Sequence, residues 1–179
     1  MSVTENPTLL RPVARWSGWA ANACVGLAAL FVIATLWKWA LSTPHAIQVD
    51  LDLRHVNLSI ERRTICVVLG VTPAVVLGLG LMRLRGSFQC FARGELFSYR
   101  AIAGLKDFAA ASAASVLVGA VVAPLISMVV SWRGGSDVEA AMSIGTGSLT
   151  LLLISMVTWI FGHVLGLGAQ LAAENDAFV

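Results

Sequence analysis

Phe108-Ala-Ala-Ala-Ser-Ala-Ala-Ser-Val-Leu-Val-Gly-Ala-Val-Val-Ala-Pro-Leu-Ile-Ser-Met-Val-Val-Ser-Trp132 runs for 25 residues without an aspartate, glutamate, lysine or arginine. About 20 apolar residues of helix cross the hydrocarbon of a bilayer. In lipid each backbone N–H and C=O needs a partner within the chain, so such a run is expected to be a helix. Three more charge-free runs surround it: Trp16 to Trp37 (22 residues), Thr64 to Met82 (19) and Ala140 to Ala173 (34). In the last, His163 and Gln170 are the only strongly polar residues. The reading is an all-α membrane protein: a four-transmembrane-helix bundle in a single domain over 16–179, after a short cytoplasmic tail at 1–15. The spans are expected at about 16–41, 64–82, 108–132 and 142–166.

Composition supports this. Of 179 residues 58% are hydrophobic and 12% charged, and the mean hydropathy is +0.82. Soluble domains carry roughly 25% charged residues, and a chain this size has too little interior to hide so much apolar surface from water. Arg11 and Arg15 resemble the basic start of a signal peptide, but the following run is longer than the roughly 7–15 residues of a signal core. It is expected to remain as an anchor. Cys24, Cys66 and Cys90 are widely spaced, form no CxxC and are read as small apolar side chains.

Orientation follows from positive charge. The stretch Arg83 to Lys106 holds Arg83, Arg85, Arg93, Arg100 and Lys106 against Glu95 and Asp107. With Arg11 and Arg15 that side carries seven cations; Lys38, Arg54, Arg62, Arg63 and Arg133 put five on the other. Both termini are expected inside.

Between the first two spans the pattern changes. Ile47, Val49, Leu51 and Leu53 alternate with polar residues, and so do Val56, Leu58 and Ile60. Period two is the signature of strand, so a short extracytoplasmic β-ribbon is expected there. Pro73 and Pro124 each remove a helical hydrogen bond, from the carbonyls of Leu69 and Ala120, and the Thr72 hydroxyl or a neighbouring helix is expected to compensate. Ser98 is placed to cap a helix starting at Tyr99, where Tyr99, Ile102, Leu105 and Phe108 recur every three residues. The small residues at 109–115, and Gly162 and Gly166 in a GxxxG spacing, read as close-packing surfaces within the bundle, with a homodimer as the competing use.

Little here carries chemistry. No acid or base lies at mid-membrane, which argues against an ion-coupled transporter. His163 reads as a hydrogen-bonded packing residue. His45, Asp50, Asp52 and His55 read as a solvated face of the ribbon rather than metal ligands. There is no HExxH, GxSxG or phosphate-binding glycine loop. No enzyme activity, cofactor, metal or direct nucleic acid binding is expected.

The phrase Phe91-Ala-Arg-Gly-Glu-Leu-Phe-Ser98, with Glu174-Asn-Asp176 near the end, resembles a bacterial membrane family, domain of unknown function 2975. The resemblance extends to the four spans and the alternating first outer loop. It departs at Ala177-Phe178-Val179, where the family leads one to expect a Leu-Thr-Val-like ending. It implies no catalytic residues. It implies a bacterial inner-membrane location, and neighbouring helix-turn-helix regulators suggest a cytoplasmic regulatory partner. The candidate partner-binding residues are Arg93, Glu95, Phe97, Arg100, Glu174 and Asp176, with Glu174 and Asp176 expected to pair with Arg93 or Arg100. Alternatives are an immunity or membrane-stress protein acting against a membrane-active toxin, and a small transporter or channel.

Overall fold

A computed structural model describes residues 7–41, 59–95, 98–131 and 145–176. Within them lie four helices: α1 (Pro7–Leu41), α2 (Ile60–Ala92), α3 (Tyr99–Ser131) and α4 (Thr146–Asp176). No strand occurs among the described residues. All four helices are long and apolar enough to cross a membrane.

The helices outrun the spans. Their 31 to 35 residues correspond to about 46–53 Å, against a hydrocarbon core of about 30 Å. Three expectations change accordingly. The polar tail at 1–15 is helical from Pro7, a residue suited to the first helical position because its ring presets φ and its missing N–H has no partner there in any case. The second span does not stop at Met82 but continues as helix to Ala92. The fourth begins at Thr146 and continues through the acidic phrase to Asp176. In each case a charged residue marks where the surrounding medium changes, not where the helix ends; arginine and glutamate are good helix formers. The start of α3 at Tyr99 is as the spacing predicts.

The ribbon expected between Ile47 and Ile60 falls largely on 42–58, outside the described residues. Its last position, Ile60, opens α2 instead.

Packing follows chain order: α1 on α2, α2 on α3, and α3 on α4. The central pair is antiparallel and knitted by small residues. A Cβ added to Gly80 would lie 2.6 Å from the Ala111 Cβ, a distance that keeps these two backbones close. Toward one end Cys66, Val122, Ile126 and Val130 form a buried cluster between α2 and α3. Nearer the other, Cys24 and Ala28 of α1 meet Leu81, with Leu84, Phe88 and Phe108 around them. All three cysteines are buried and unbridged, as small apolar residues would be.

The prolines are accommodated differently from expectation. The Thr72 hydroxyl donates to the Val68 carbonyl at 3.1 Å, one residue short of Leu69. The neighbouring helix does not reach Leu69 either: Ser115 Oγ of α3 donates at 2.8 Å to the carbonyl of Pro73 itself. It thereby ties α2 to α3 at the proline.

Candidate functional site at the tip of the α2–α3 hairpin

Most of the polar stretch 83–106 is helix, the last turns of α2 and the first of α3. α2 ends in a Schellman arrangement: Gly94 N–H donates to the Phe91 carbonyl and Glu95 N–H to the Cys90 carbonyl, both at 3.0 Å. Gly94 has φ of 82°, a left-handed conformation that glycine adopts without penalty. The next helix starts five residues later, at Tyr99. Ser98 Oγ accepts the Ala101 N–H at 3.3 Å, the N-cap expected of it.

Below the turn the hairpin is clamped. Ser87 is fully buried and its hydroxyl donates to the Ala101 carbonyl at 2.7 Å. Gly104 faces this bond; a Cβ there would strike Ser87 Oγ and come within 2.7 Å of the Arg83 carbonyl oxygen. Phe88 and Phe91 meet edge to face at 6.2 Å on α2. On the outside Arg83 and Asp107 approach to 3.9 Å, but both are well exposed. Such a pair contributes only about 0–1 kcal/mol.

What the clamp presents is polar. Arg93, Glu95 and Arg100 are all exposed, and Tyr99 is 88% exposed. Of the candidate residues, the hairpin brings these three charged ones together on one turn. Phe97 lies outside the described residues. Glu174 is exposed near the end of α4, and among the described residues it forms no ion pair with Arg93 or Arg100; the Asp176 side chain is outside them.

Ser87 and Gly104 were not among the expected site residues. A signal for them does exist. Ala101, Gly104, Phe108, Ala111, Ser115, Gly119, Val122 and Ile126 follow at three- and four-residue steps, one continuous face of α3.

Elsewhere the described residues hold little reactive chemistry. No group of three metal-ligating side chains converges among them. His45, Asp50, Asp52 and His55 lie outside them. His163 Nδ1 sits 3.1 Å from the Trp159 carbonyl oxygen, one turn back on its own helix, and its ring lies 5.2 Å from the Trp159 ring. Gly162 and Gly166 do serve packing inside the fold: the Lys106 stem crosses Gly162, and Ile102 approaches Gly166.

A cavity lies in the spanning region, among the described residues. It measures about 940 Å³ and is bounded by Phe31 of α1, Pro73 and Leu77 of α2, Ser115 and Gly119 of α3, and the first turns of α4. Its walls are mainly apolar.

Four apolar helices, each packed on the next along the chain, define a multi-pass helical membrane protein. No protein family, curated protein or solved structure matches the chain.

Proposed function

We propose that this chain is a non-enzymatic bacterial inner-membrane protein, with both termini in the cytoplasm, that binds a cytoplasmic regulatory protein through the α2–α3 tip. The observation that carries this reading is the tip itself. Two capped helices, fastened by Ser87 and Gly104, hold Arg93, Glu95, Tyr99 and Arg100 outward. A surface so fixed loses little entropy on binding, and arginine and tyrosine are the residues that protein interfaces favour. The seven-to-five charge bias supports a cytoplasmic tip. The resemblance to domain of unknown function 2975 supports a helix-turn-helix regulator as the partner class.

The test is affinity capture from a mild detergent, comparing wild type with Arg93→Glu/Arg100→Glu. A small DNA-binding protein held by wild type and lost from the variant is the expected result. Identical recovery on both would reject the tip as the docking surface.

The cavity favours a second reading, transport or binding of a small apolar molecule. Flux of such a compound through reconstituted liposomes would support that reading over the first.

A further inference from the structure

Arg85 has an unusual position. Its neighbours on the same stripe of α2, Leu81, Leu84 and Phe88, pack with Cys24 and Ala28 of α1. Its Nε is sealed from solvent and has no hydrogen-bond partner. The guanidinium cannot discard its charge, because arginine stays protonated in proteins. A part-buried cation without a counterion is costly.

The protein offers no counterion among the described residues. From Trp16 to Trp37 α1 has no acid. On α2, Glu61 is at the far end and Glu95 is beyond the last turn. On α3 the one acid, Asp107, approaches Arg83 instead. On α4, Glu174 makes no such pair, and the Asp176 side chain lies outside the described residues.

Depth indicates where the anion comes from. Trp19 and Trp37 are exposed on α1, 18 residues apart, or about 27 Å along the helix. That matches the aromatic belts at the two faces of a bilayer. Cys24, which clusters with Leu81 and Leu84 on the Arg85 stripe, lies five residues inside Trp19. A long arginine side chain starting at that level reaches the headgroup layer. About one and a half to two and a half turns further out than Cys24, Trp19, Trp16 and Arg15 line a pocket of about 470 Å³ at the same end of α1.

We infer that Arg85, between α1 and α2, binds the phosphate of an anionic glycerophospholipid in the leaflet on the side of the α2–α3 tip, with Arg15 adding to the preference for negative headgroups. Guanidinium and phosphate match in a two-pronged hydrogen-bonded pair. A net-negative headgroup leaves that charge uncancelled, whereas choline cancels its own.

Native mass spectrometry of the full-length protein in non-ionic detergent, with equimolar phosphatidylglycerol and phosphatidylcholine, tests this. Wild type is expected to retain phosphatidylglycerol in preference by about fivefold. Arg85→Gln should bring the ratio near one, and Arg85→Lys should keep part of it. Arg62→Gln, at the other end of α2, should leave it intact. An even ratio for wild type, or a wild-type ratio for Arg85→Gln, overturns the inference. So does release of the bound lipid by inorganic phosphate or by soluble polyglutamate, which would assign Arg85 to a free anion or an acidic peptide.

Discussion

Two glycines in the hairpin do different jobs, and substitution separates them. Gly94 is needed for its backbone, since φ of 82° costs an L-residue about 1–2 kcal/mol. Gly94→Ala should lower stability by about 1 kcal/mol, and Gly94→Asn by less, because asparagine tolerates the left-handed region. Thermal unfolding in micelles, followed by circular dichroism, reads the difference; equal losses would mean the cap is not what matters. Gly104 is needed for its space. Gly104→Ala should cost about 1–3 kcal/mol through overpacking. Removing the Ser87 hydroxyl in the same chain should not restore stability, because the Arg83 carbonyl still stands 2.7 Å from the new methyl. Full recovery in Gly104→Ala/Ser87→Ala would show that the hydroxyl alone sets the spacing. Ser87→Ala by itself removes one interhelical bond, worth about 0.6 kcal/mol on average in a membrane protein.

At the level of elements, the α2–α3 hairpin is packed as one closed unit, and thiol labelling tests it. Cys24, Cys66 and Cys90 are all buried. A maleimide should label none of them quickly in the folded protein and all three after denaturation in dodecyl sulfate. A cysteine at Tyr99 should react at once. Fast labelling of Cys90 in the native protein would mean that the hairpin opens at its tip. The elements were legible where one physical rule governed them. Charge-free length located four spans, and Ser98 announced the start of α3 through its capping chemistry. Helix continues past the expected spans, from Pro7 before the first and to Ala92 and Asp176 after the second and fourth, because charge marks the lipid boundary while helix continues into water; the end of α1 at Leu41 is as expected. The phrase Gly94-Glu95-Leu96-Phe97-Ser98 bears on this too. Its glycine stops one helix and its serine starts the next. Ser87 and Gly104 were missed since Ser87 was read as part of a loop, and a loop has no face to match against α3.

For the whole molecule, the consequence of packing in chain order is an uneven distribution of stability. Burial in the spanning window falls from 33% in α2 to 11% in α4. α4 holds to the rest chiefly through α3, where Lys106 and Ile102 approach Gly162 and Gly166. At its other end its first turns border the cavity of about 940 Å³. Interiors hold together by close contact, so a helix bordered by a cavity at one end and anchored near the other should separate first. Hydrogen exchange in nanodiscs should show α4 amides exchanging before those of α2 and α3, earliest over Gly145 to Ile154. A pair of substitutions isolates the cause. Gly162→Leu and Gly147→Leu both replace glycine by a strong helix former, a local gain of up to about 1 kcal/mol in each. Only the first meets resistance: a Cβ at Gly162 comes within 2.9 Å of the Lys106 stem, whereas nothing lies within 4 Å of one at Gly147. Gly162→Leu should therefore speed exchange throughout α4, and Gly147→Leu should slow it or leave it unchanged. If both variants exchange alike, α4 is held by something other than its contact with Lys106, and a second copy of the chain against its exposed Leu153, Met156 and Ile160 face becomes the explanation to pursue.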